Sequence, residues 1–147
     1  MPEPKSKSQF ERTLRPDPLE VRATLVALRQ ELSPSVDDDS IDTIELICAE
    51  ILNNVVEHAF ADPMPDDGTI RVRTDMRDGA LTFNVVDNGH PMPGGEPPNP
   101  DAPEVDNVAQ EALPEGGFGW NLIHHLSGGL SYHHADGCNH LSVWIEV

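Results

Sequence analysis

The chain has almost no cysteine, no long apolar run and no Lys or Arg after residue 77. Cys48 and Cys138 are the two thiols among 147 residues. That is too few for a disulfide framework and points to a reducing, cytoplasmic setting. No apolar stretch approaches the ~20 residues of a membrane span. The opening Met1-Pro2-Glu3-Pro4-Lys5-Ser6-Lys7 has behind it no apolar core of the kind a signal peptide carries. All nine Lys and Arg residues lie at or before Arg77, and 26 Asp and Glu bring the formal charge to −17. Such a surface repels nucleic acid and anionic lipid, so neither nucleic acid nor membrane is expected as a partner. Any phosphate site in residues 78–147 must use backbone N–H groups, a metal ion or histidine.

What is present suits one globular domain. The hydrophobic fraction is 37% before glycine is added, near the globular range. A chain of this size buries on the order of two thirds of its unfolded surface. Residues 1–9 read as a flexible tail and 10–147 as a single domain without internal repeats. Phe10 to Leu14 suits a short strand. Asp17-Pro18-Leu19-Glu20 reads as a helix start, with Asp at the cap, Pro in the first turn and Glu closing a capping box. That helix runs to about Leu32, where Ser33-Pro34-Ser35 breaks it. A second helix spans about Asp37 to Phe60, with Ile41, Ile44, Ile47, Cys48, Ile51, Leu52 and Val55 on one apolar face. Three aspartates at its N-terminus suit the helix dipole.

Two alternating strands follow, through Ile70–Thr74 and Leu81–Val85, with Asp78-Gly79 as the hairpin turn. Residues 88–115 hold half of the 14 prolines and show almost no periodicity. A structureless stretch this long inside a compact domain is usually functional, and here it reads as a lid. Gly116 opens a third helix that Gly128-Gly129 stops, and a closing hairpin turns at Asp136-Gly137. Trp120, Trp144 and Cys48 read as packing residues. The scattered histidines have no metal-ligand spacing.

Three short patterns carry chemistry. Glu50, Asn54 and His58 are spaced i, i+4, i+8. Each step turns only ~40° around a helix, so they share one polar stripe beside the apolar face. Asn offers a hard oxygen to Mg²⁺ and Glu can act as a base, although a solvated helix face has the same pattern. Asp87-Asn88-Gly89-His90-Pro91 ends an apolar strand. A carboxylate there can accept a hydrogen bond from an adenine amino group, and Gly89 lets a flat base approach; the same residues also make common turns. Gly116-Gly117-Phe118-Gly119 precedes a helix whose exposed N–H groups attract phosphate, or serves as a simple hinge. It is neither a Walker loop, since no Lys-Ser or Lys-Thr follows, nor a Rossmann fingerprint, since no strand directly precedes it.

In this order and on these elements, the three patterns resemble the boxes of the GHKL ATPase superfamily. Within it, the chain is most similar to the small anti-sigma factor serine/threonine kinases, the partner-switching regulators of bacteria, from about Phe10 to Val147. Glu50-x-x-x-Asn54-x-x-x-His58 looks like the first box, Asp87-x-Gly89-x-Pro91 the second, and Gly117-x-Gly119-x-x-Leu122-Ile123 the third. The resemblance implies an α/β two-layer sandwich, with three helices covering one face of a mostly antiparallel sheet of four or five strands. It implies ATP and Mg²⁺ as cofactors under a lid at about 88–115. Asp87 and Gly89 would bind the adenine, Asn54 would hold Mg²⁺, and Gly117, Gly119 and His58 would lie against the phosphates. Glu50 would be the general base for a protein serine hydroxyl.

Two protein partners are implied, an antagonist that receives the phosphate and a sigma factor or its equivalent; a homodimer is compatible with the same pattern. Three features depart from the family. Glu115 stands where a basic residue often closes the lid, Gly137-Cys138-Asn139 replaces the usual Gly-Thr, and the lid is short and proline-rich. Asn139 could supply the missing hydrogen bond to the nucleotide. The acidic lid end supports an alternative, a non-catalytic ATP-gated interaction module of the same fold. His58 in the first box counts against a detached catalytic domain of a histidine kinase.

Overall fold

The structure is a computed structural model that describes residues 7–60, 67–92, 95 and 115–147. Its elements follow the order β1 (Lys7–Leu14), α1 (Pro18–Leu32), α2 (Asp38–Asn54), β2 (Ile70–Arg77), β3 (Ala80–Asp87), α3 (Glu115–Leu126), β4 (Gly129–Ala135) and β5 (Cys138–Glu146). The five strands form one sheet in the order β1-β2-β3-β5-β4. Every neighbouring pair is antiparallel. Of the lid stretch, residues 93–94 and 96–114 lie outside the described residues, as do 1–6 of the tail.

Alternation decides the layers. Ile70, Val72 and Thr74 of β2, Leu81, Phe83 and Val85 of β3, and Leu141, Val143 and Ile145 of β5 are all buried. Successive strand residues point to opposite faces, so these share one side of the sheet. Leu28, Leu32, Ile44, Ile47, Ile51, Trp120 and Ile123 of the three helices complete the same cluster, and Cys48 sits within it fully buried. Burial pushes the Cys48 thiol well above its ordinary range, as fits a core residue. The expected two-layer sandwich is therefore the fold, with five strands and three helices among the described residues.

Local chemistry explains the boundaries. Asp17 caps α1 by accepting from the Leu19 N–H at 2.9 Å. Glu20 does not reach back to Asp17 as a capping box would; its Oε1 accepts from the Arg15 N–H at 3.3 Å. Both hairpins turn on Asp-Gly pairs with positive φ, 52° and 80° at Asp78-Gly79 and 55° and 76° at Asp136-Gly137. That is the turn whose twist matches paired strands. Strand β1 begins at Lys7, because Lys7 and Ser8 pair with Met76 and Asp75 of β2. Lys7, Ser8 and Gln9 thus belong to the sheet rather than to a tail.

The second helix differs from expectation in a way that matters for the site. It keeps α geometry only to Asn54 and continues as a π-helical turn, Val55–Ala59. The Phe60 N–H closes that turn on the Val55 carbonyl at 3.3 Å. A single π turn inserted in a helix shifts the angular register of everything beyond it.

Candidate functional site

Asp87, Asn88 and Gly89 leave the end of β3 with three different tasks. The Asn88 side chain staples the segment before β2: its Oδ1 accepts from the Thr69 N–H and its Nδ2 donates to the Asp67 carbonyl, each at 2.9 Å. Gly89 sits against the π turn. A Cβ on it would lie 2.4 Å from the Ala59 carbonyl oxygen, closer than any side chain can stand. The next residue locks the contact, since the His90 N–H donates to the same carbonyl at 2.7 Å. The absence of a side chain at Gly89 is thus required by the protein's own backbone.

Asp87 is 4% exposed, at the rim of the core. Its Oδ1 accepts from the Gly89 N–H and from the Asn139 amide, both at 2.8 Å. Both bonds end on one oxygen, which leaves Oδ2 to take a ligand donor. Burial pushes the carboxyl above the ordinary carboxylate range, while the Asn139 and Gly89 donors and the nearby His134 and His140 pull it back. A raised native pKa means that ionising Asp87 costs stability. Its contribution is intact below the unfolded carboxyl's value and is lost as pH rises through the native one. We expect Asp87→Asn to keep or raise the melting temperature near neutral pH and to flatten its decline above the carboxylate range. Thermal melts across pH 4–8 check this; a large loss at neutral pH would show that the charge supports the fold.

Asn54 closes α2 at 6% exposure, and its Nδ2 is buried without a hydrogen-bond partner. An unpaired buried amide costs ~1–3 kcal/mol and is rare in a finished core. Amide nitrogen and oxygen exchange places by a flip, so the side chain can present either to a ligand. Glu50 stands one turn earlier, partly exposed. His58 lies in the π turn, exposed, with Nε2 4.0 Å from Glu57 Oε1.

Gly117 and Gly119 both fall inside α3, which starts at Glu115 and packs on α2. The first four N–H groups of a helix have no partner within it. Gly117 is the last of those four, and the Gly119 N–H lies beyond them. Asn139, the first buried residue of β5, pairs in register with Asp87. Tyr132, the chain's one tyrosine, stands in none of the three sequence patterns. Its hydroxyl donates to Asn139 Oδ1 at 2.5 Å and accepts from the Met92 N–H at 2.9 Å. The available signal was its place two residues before His134 on a strand facing Asn139. Trp144 is 40% exposed on the uncovered side of the sheet, where its ring lies under Gly129.

The fold and these residues can be set beside known proteins. Residues 14–145 match a family described as Histidine kinase-like ATPase domain. The chain belongs to this family. It is 34% identical over 101 residues to the serine/threonine-protein kinase BtrW of Bordetella bronchiseptica, covering 69% of this chain and 67% of that one. It is 26% identical over 117 residues to the serine-protein kinase RsbW of Bacillus cereus, covering 80% and 70%. The anti-sigma F factor of Clostridium botulinum is 24% identical over 109 residues, covering 74% and 71%. Among solved structures, the RsbU and RsbW domains of a Mycobacterium tuberculosis protein superpose with a TM-score of 0.62 at 17% identity. That match covers 93% of this ATPase-family chain and 31% of the mycobacterial one, and it bears on the fold alone. Among the described residues, no helix is long and apolar enough to cross a membrane.

Proposed function

We propose that this chain is a cytoplasmic, ATP- and Mg²⁺-dependent protein serine/threonine kinase that phosphorylates an antagonist protein and holds a sigma factor or its equivalent. The support is the family, the names of its relatives and one observation above all. Asn54 carries a buried amide with no protein partner, one helical turn after a carboxylate, Glu50.

In this reading the free Asp87 oxygen accepts the amino group of adenine, and the backbone at Gly89 borders the base. The unpaired N–H groups at the start of α3, Gly117 among them, face the phosphates. Asn54 fits a Mg²⁺ ligand: its side chain has an amide oxygen to give, and nothing in the described protein competes for that side chain. The bound ion would neutralise triphosphate charge in a −17 chain that has no Lys or Arg after Arg77. Glu50 takes the proton from the partner's serine hydroxyl as its oxygen bonds to the γ-phosphorus; the bond to the β,γ-bridging oxygen breaks and ADP leaves.

The test is incubation with γ-labelled ATP, Mg²⁺ and the single-domain antagonist candidates of the same genome. Label should pass to a serine or threonine of one of them and should not do so when Mg²⁺ is chelated. The second reading, a non-catalytic ATP-gated module, rests on Glu115 at the lid's end. It wins if an antagonist binds in an ATP-dependent way and no label is transferred.

A further inference from the structure

An asparagine side chain offers two N–H donors and two carbonyl lone pairs. At Asn139 all four are taken. Nδ2 donates to Asp87 Oδ1 at 2.8 Å and to the His90 carbonyl at 2.9 Å, with the Gly89 carbonyl at 3.4 Å. Oδ1 accepts from the Tyr132 hydroxyl at 2.5 Å and faces His134 Nδ1 at 2.9 Å. Since Oδ1 only accepts, His134 must carry its proton on Nδ1. No capacity remains for a nucleotide, so Asn139 does not serve as a direct ligand.

We propose that Asn139 and Tyr132 are positioning residues, which aim the free oxygen of Asp87 at an adenine amino group and tie that aim to the backbone at Met92. The proposal rests on the base-binding reading of Asp87 given above. The polar chain is continuous: the Met92 N–H donates to the Tyr132 hydroxyl, that hydroxyl to Asn139, and Asn139 to Asp87. It is not needed to hold the strands together, because the β3–β5 ladder already pairs Asp87 with Asn139 through the backbone. Its particular effect is on one oxygen. Two donors occupy Oδ1, which fixes the carboxylate plane and leaves Oδ2 as the acceptor. Asn139 is also the strongest of the partners that favour the ionised form of this buried acid. The residues that recognise the base and the segment that follows β3 thus share a single hydrogen-bonded unit.

The experiment compares ATP with the triphosphate of purine riboside, which lacks the exocyclic amino group. Both are titrated by calorimetry into the full chain with Mg²⁺. Tyr132→Phe is nearly isosteric and removes one hydroxyl; it should weaken ATP about three- to tenfold, the worth of one hydrogen bond. Asn139→Ala should weaken ATP about tenfold or more. Neither should change affinity for the amino-less analogue more than about twofold. In combination with Asp87→Asn, neither should add a further loss, as expected for residues acting through that carboxylate. Tyr132→Phe should also speed exchange of the Met92 amide. Equal losses for both nucleotides, or losses additive with Asp87→Asn, would overturn the proposal in favour of a structural role. If Asp87→Asn itself fails to separate the two nucleotides, the base-binding reading falls and the positioning role with it. If Asp87→Asn separates them and the other two variants do not, the positioning role alone falls.

Discussion

Glu50→Gln is expected to bind ATP within a few-fold of wild type and to lose phosphoryl transfer by ~10²–10⁴-fold. The substitution keeps the shape and polarity of the side chain and removes the base. Glu50 lies one turn before Asn54 on α2, partly exposed, where a partner's hydroxyl can approach it. Asn54→Ala is the informative contrast. If Asn54 holds the metal as proposed, its loss weakens ground state and transition state together, so affinity and transfer should both fall. Calorimetry and a single-turnover labelling assay on the two variants separate these patterns. Transfer at the wild-type rate by Glu50→Gln would remove the base assignment.

Gly89→Ala should be the most damaging single methyl in the described structure. The added carbon would stand 2.4 Å from the Ala59 carbonyl oxygen and 2.8 Å from its carbonyl carbon. Those are backbone atoms, which cannot swing aside as the end of a side chain can. Separating them also breaks the 2.7 Å bond from the His90 N–H to that carbonyl. Overpacking of this kind costs about 3 kcal/mol, or a fall of roughly 6–12 °C in melting temperature for a domain of this size. Scanning calorimetry measures it. A fall under 2 °C would mean that the π turn relaxes freely and is not held by this contact.

These expectations show where local pattern stops being informative. The strands, both Asp-Gly turns and the apolar face of α2 follow from periodicity and turn chemistry, because each is decided within a few residues. The π turn at Val55–Ala59 does not. Its contact runs from Ala59 to Gly89 and His90, some thirty residues away, and a continuous apolar pattern through Val55 carries no mark of it. Gly89 reads as room for a ligand, and the room its missing Cβ leaves for Ala59 has no local mark in the sequence. The start of β1 has no local mark either, because Lys7 and Ser8 are in a strand only through pairing with β2. Asn139 reads as a free amide because its donors, Tyr132 and His134, reach it across a hairpin whose register is a property of the folded sheet.

That register has a consequence for how the domain assembles. The β2–β3 and β4–β5 hairpins each close over two-residue turns and form from neighbouring chain. The β3–β5 ladder that joins them unites residues far apart in sequence, and Asp87 meets Asn139 only there. Loop-closure entropy falls mainly on this pairing, which makes it the slow and concerted part of folding. A partly folded chain with both hairpins made still has no Asp87–Asn139 pair and, on the proposed reading, no base site. A nucleotide that uses Asp87 therefore distinguishes the fully joined sheet from every state short of it. It should raise the melting temperature in proportion to the logarithm of its concentration above Kd, with no intermediate retained.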